Sequence, residues 1–117
     1  MDNGEIIKIV QEYIRAVKSK FSLQKAILFG SYAKGDFMPD SDIDIALILN
    51  GRGDMIQTQI DLMKLRRKID LRIEPHPFAS NDFNSSNPVV SEIMKYGIEV
   101  TGNMAVAEPK IPYNKKK

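Results

Sequence analysis

Two apolar runs of strand length constrain this chain more than any other feature: Lys25-Ala26-Ile27-Leu28-Phe29 and Ile43-Asp44-Ile45-Ala46-Leu47-Ile48-Leu49. The first stops at Gly30 and the second at Asn50-Gly51-Arg52-Gly53, while Gly35 and Pro39 punctuate the stretch between them. Around these runs lie segments of helical period. Residues 5–19 bring Ile6, Ile7, Ile9, Val10, Tyr13, Ile14 and Val17 close to one stripe, with Asn3 as the expected N-cap. Met55 to Lys68 carries Ile56, Ile60, Leu62, Met63 and Leu65 behind Asp54, a suitable cap. A third strand is expected over Asp70–His76, stopped by Pro77, and Ser80-Asn81-Asp82-Phe83 marks a short helical turn. Pro88 opens a further helix, Val89 to Tyr96, which Gly97 closes, and Ile98-Glu99-Val100 has the character of a short terminal strand. Alternating helix and strand give an α/β or α+β layered domain.

Composition excludes several classes. A chain of 117 residues with 43% hydrophobic and 27% charged residues suits one globular domain, not a disordered or fibrous protein. Zero cysteines exclude a disulfide scaffold and a thiolate zinc site, and a single histidine excludes a His-rich metal centre. The start, Met1-Asp2-Asn3-Gly4-Glu5, is unlike a signal peptide, and no apolar stretch approaches the roughly 20 residues of a membrane span. A soluble, cytoplasmic protein is expected. The net charge of +2 is misleading, because residues 102–117 hold Lys110, Lys115, Lys116 and Lys117 against Glu108, leaving −1 for residues 1–101. A nucleic-acid binder carries its basic excess on the folded surface, so nucleic acid is not the expected direct partner. The expected division is a domain over 1–101 and a flexible basic tail over 102–117.

The chemistry-bearing constellation is Gly30-Ser31, ten residues, then Asp42-Ile43-Asp44. Asp42 and Asp44, at i and i+2 on a strand, face the same way with Cα atoms roughly 6–7 Å apart. Two carboxylates on an apolar strand are costly to bury without a cationic compensator. With no basic residue between them, a divalent ion is the natural one, and hard oxygen donors select magnesium or manganese. Gly30-Ser31 at a strand end lets backbone N–H groups approach a phosphate, and the helix start behind it favours negative charge. Taken singly, Gly-Ser after a strand is usually a turn and Asp-x-Asp a solvated loop. Their joint placement beside predicted strands describes a nucleotide site. Asp36 and Asp40 belong to the solvated loop.

Leu28-Phe29-Gly30-Ser31-Tyr32-Ala33-Lys34-Gly35 followed by Ser41-Asp42-Ile43-Asp44-Ile45 resembles the signature of the DNA polymerase beta-like nucleotidyltransferases, and more narrowly the minimal nucleotidyltransferase domains. The resemblance covers most of residues 25–101 in element order. It implies a small mixed β-sheet flanked by helices, two Mg²⁺ ions (Mn²⁺ as substitute), an NTP donor and pyrophosphate release. It also implies a third carboxylate on the next core strand. Glu74 and Asp70 are the candidates, and the Ser80-Asn81-Asp82-Phe83 segment downstream favours Glu74, although Glu where the family commonly has Asp is a departure. By the same resemblance, catalysis and metal binding fall to Asp42, Asp44 and Glu74, and nucleotide binding to Gly30, Ser31 and Lys34. Lys34 is equally compatible with a solvated position, and Arg72 with pairing to Glu74 or with the nucleotide. His76 is read as structural, the Lys64, Arg66, Arg67, Lys68 cluster as helix-end charge, and Met55, Met63, Met94 and the aromatic residues as core filler.

The chain is nearly all catalytic core, so the acceptor surface is expected on another chain. Domains this small resemble the antitoxin of HEPN/MNT toxin–antitoxin pairs. That resemblance implies a helical HEPN-type toxin as partner, one of its tyrosines as acceptor, and AMP from ATP as the transferred group. Two alternatives stay open: a binding antitoxin with a relic site, and an antibiotic-type small-molecule transferase.

Overall fold

The computed structural model describes residues 3–51 and 53–100. Helix α1 spans Asn3–Lys18, and β1 spans Leu23–Phe29. A single helical turn, α2, covers Ser31–Lys34, followed by β2 over Ile43–Leu49. Helix α3 runs Met55–Leu65 and tightens into a 3₁₀ turn over Arg66–Lys68; β3 is Ile73–Ala79, with a second 3₁₀ turn at Ser80–Asp82. Helix α4 covers Pro88–Tyr96 and β4 covers Ile98–Val100. The expected tail, 102–117, lies outside the described residues.

The four strands form one mixed sheet in the order β3-β2-β1-β4. β1 is antiparallel to both β2 and β4, while β2 and β3 are parallel, joined across α3. Alternation sorts the side chains onto two faces. Ala26, Leu28, Ile43, Ile45, Leu47, Leu49, Ile73 and Val100 join Ile6, Val10, Tyr13, Ile14 and Val17 of α1 and Leu62 of α3 in the main core. The other face carries Ile27, Ala46 and Ile48 with Phe29, Phe78 and Phe83, covered by Ile93 of α4. β2 is buried on both faces, which explains its near-continuous apolar sequence. Two helices are pinned together where the Tyr13 hydroxyl donates to the Leu62 carbonyl at 2.7 Å. Burial pushes the Tyr13 phenol up, more strongly than Arg66 draws it down.

Several boundaries depart from the sequence reading. Asn3 already lies within helix α1, so it is not the cap. β3 starts three residues later than Asp70 and continues through Pro75 and Pro77 to Ala79. It is an edge strand, and the two prolines, two residues apart, leave their missing N–H groups on the same open side. Asp54 does cap α3, accepting from the Ile56 and Gln57 N–H groups at 3.0 and 3.1 Å. α3 nevertheless buries Thr58 and Leu62 and turns Ile56 and Ile60 outward, and Met94 and Tyr96 on α4 are exposed, so they are not core filler. Among the described residues no helix is long and apolar enough to cross a membrane.

Candidate active site

The β1–β2 register sets Phe29 opposite Asp44, so the chain turning out of β1 passes directly beside that carboxylate. Gly30 makes the turn with φ +74°, a left-handed value that favours glycine. A Cβ at this position would collide with Asp44 Oδ2. Two independent demands therefore fall on one residue. α2 begins at once with Ser31, and its first N–H groups lack intrahelical partners. Gly35, at φ +86°, closes the turn by donating its N–H to the Ser31 carbonyl at 2.9 Å.

Asp42 lies exposed at the end of the loop, and Asp44 is the second residue of β2, partly buried. Asp36 and Asp40 are exposed loop residues, as expected. On the neighbouring parallel strand, Glu74 is the register partner of Asp44, which places the two positions about 4.8 Å apart on the same face. Asp70 is placed differently. Its carboxylate is taken by the Arg72 guanidinium, with Nη2–Oδ2 at 2.7 Å and Nε–Oδ1 at 3.0 Å. These hydrogen bonds hold the Asp70 carboxyl below its ordinary value, against the opposing effect of burial, and raise the Arg72 guanidinium. Arg72 thus pairs with Asp70, not Glu74, because it lies before β3 and outside the strand alternation that aligned it with Glu74.

Two residues read as background enter the site. His76, two positions beyond Glu74 on the same face, brings Nε2 to 3.1 Å from Asp44 Oδ1, and its ring meets Phe29 edge-on at 5.0 Å between centroids. A carboxylate only accepts, so this pair places the hydrogen on Nε2. The two-residue alternation from Glu74 was the available sequence signal. Arg66 does more than complement a helix end: Nη1 donates to the Leu71 and Ile73 carbonyls, each at 2.9 Å, and lies 3.8 Å from Glu74 Oε2. Lys34 is held at 2.9 Å by Glu92 of α4, which raises its pKa, and lies over the Tyr96 ring. Reaching a triphosphate would require Lys34 to leave that exposed pair.

The donor set suits a hard divalent cation, since Asp42, Asp44 and Glu74 offer oxygen only. As the side chains stand, no three carboxylate or imidazole groups converge at ligating distance among the described residues. Asp44 turns toward Gly30 and His76, and Glu74 turns toward Arg66. The register still sets Asp44 beside Glu74, with Asp42 two residues earlier at the open end of β2.

A nucleotidyltransferase domain model matches residues 10–100, which takes in the Gly30 turn, both aspartates and Glu74. The chain belongs to the nucleotidyltransferase domain family. A curated Methanocaldococcus jannaschii protein, provisionally named a protein adenylyltransferase, is 31% identical to this nucleotidyltransferase over 101 residues, covering 82% of this chain and 99% of the relative. A crystal structure described as a provisional nucleotidyltransferase from Sulfolobus solfataricus is 25% identical with a TM-score of 0.57, covering 81% of this chain and 78% of that one. A toxin–antitoxin crystal structure with AMP-PNP matches at 26% identity and a TM-score of 0.59, covering 76% and 70% of the two chains.

Proposed function

We propose that this nucleotidyltransferase transfers AMP from ATP to a tyrosine hydroxyl on a separate, helical HEPN-type toxin chain, and thereby acts as its antitoxin. The observation that carries the reading is the contact at Gly30: the turn that would cradle phosphate abuts the Asp44 carboxylate, with room only for a hydrogen. The names of the relatives supply the acceptor class: a protein adenylyltransferase and a toxin–antitoxin complex with AMP-PNP.

Each residue then has a task. Gly30 and Ser31 would hold the β- and γ-phosphates through backbone N–H groups and the Ser31 hydroxyl. Asp42, Asp44 and Glu74 would hold magnesium, which when bound neutralises charge on the triphosphate and favours the phenolate form of the acceptor. Glu74, at the edge of the pair, would take up the acceptor proton. The hydroxyl oxygen attacks the α-phosphorus in line, forming one P–O bond while the bond to pyrophosphate breaks. Positioning and charge supply most of the acceleration. In the test, α-labelled ATP marks the partner chain whereas γ-labelled ATP leaves it unmarked; label from the γ-phosphate would overturn the assignment.

A second reading, a binding antitoxin with a relic site, is favoured by one observation: Asp44 is engaged by His76 and Glu74 faces Arg66. Stable complex formation without any label would select it.

A further inference from the structure

We propose that Arg72 is a positioning residue that fastens the two halves of the nucleotide site to each other; this rests on the site reading given above. Arg72 precedes β3 by one residue, and its carbonyl accepts the Ile43 N–H at 2.8 Å, at the residue between Asp42 and Asp44. Asp70 fixes the guanidinium from behind through the two-pronged pair, and Asp70 Oδ1 also accepts the Arg72 backbone N–H at 2.9 Å. Held in this fork, Nη1 reaches forward to two further elements. It donates to the Pro39 carbonyl at 2.9 Å, in the loop leading to Asp42, and to the Tyr32 hydroxyl at 3.2 Å, next to Ser31.

Tyr32 is a suitable anchor. It is only 1% exposed, its ring stacks on Phe37 with centroids 4.4 Å apart, and its hydroxyl donates to the Met38 carbonyl at 3.3 Å. Met38, Pro39 and Asp40 are exposed, so packing does little to fix the loop that delivers Asp42. One residue therefore ties three elements to β3: its guanidinium holds the phosphate turn and the Asp42 loop, and its backbone carbonyl holds the entry of β2. A planar fork with several donors is needed to face Asp70, Pro39 and Tyr32 together; a lysine ammonium cannot do so. Arg72 acts through these partners, ordering the loop before nucleotide arrives.

The test uses the full chain and Arg72→Lys, Tyr32→Phe and Asp70→Asn, with manganese titrated in the presence of ATP and followed by the spin-resonance signal of free manganese. Circular dichroism and melting report the fold, and label transfer is measured in parallel. Tyr32→Phe keeps the buried ring and removes only the hydroxyl, so it remains informative if changes at Arg72 impair folding. The expected result is a folded protein needing about 10-fold more manganese for half-saturation, a typical cost for a group that orients ligands. Asp70→Asn combined with Arg72→Lys should be no worse than the poorer single change. Variants that bind manganese-ATP as the wild type does, even with lowered melting temperatures, would overturn the proposal. A wild type that binds none would instead bring down the nucleotide-site reading, and this inference with it.

Discussion

Gly30 and Glu74 are the two residues on which the site reading can be tested most cleanly. Gly30→Ala combines a positive φ with a Cβ aimed at the Asp44 carboxylate. We expect a loss of about 1–3 kcal/mol from the backbone alone, seen in thermal melts, together with loss of label transfer. Unchanged transfer would mean that the turn does not cradle the nucleotide. Glu74→Gln keeps the side-chain volume and should cut transfer by at least about 100-fold at an unchanged melting temperature; wild-type transfer would remove Glu74 from the site. At this scale the sequence was legible where a residue's place depends on its immediate neighbours, as at the Gly30 and Gly35 turns and the Asp54 cap. It was opaque where the partner comes from another strand. His76 meets Asp44 only because β3 lies parallel to β2 in one register, and Arg72 meets Tyr32 and Pro39 across more than 30 positions of chain.

Elements show a similar division. β2 has the boundaries read from its apolar run, because a strand buried on both faces carries its own signal. The end of β3 was set three residues short because Pro77 was read as a stop, whereas an edge strand tolerates proline on its open side. Whether a strand is central or at the edge is settled by topology, not by its own residues. For α3 the cap is a local matter: Asp54→Ala should cost about 1 kcal/mol, read as a melting temperature lower by several degrees, with transfer per folded molecule unchanged. At the β3 entry, Arg72 lowers the pKa of Asp70. A carboxyl lowered in the native state stabilises the fold above its unfolded value of about 4 and loses that contribution as pH falls through the lower native one. Asp70→Asn should therefore melt at lower temperature at neutral pH, with the difference from wild type narrowing below about pH 4; a constant difference would contradict the assignment.

Seen as a whole, the molecule devotes one sheet face to its main core, under α1 and α3, and packs a smaller apolar cluster on the other, which also carries the proposed site. α4 covers the Ile27 end of that second face, while Asp44, Glu74 and His76 stand at its other end, beside the Gly30 turn. A second chain is central to the proposed function, which makes it the acceptor. The most direct measurement incubates the protein, its partner chain, magnesium and α-labelled ATP, with wild type and Asp44→Asn side by side. The account predicts label on the partner with wild type and none with Asp44→Asn. Equal label with both proteins would contradict it.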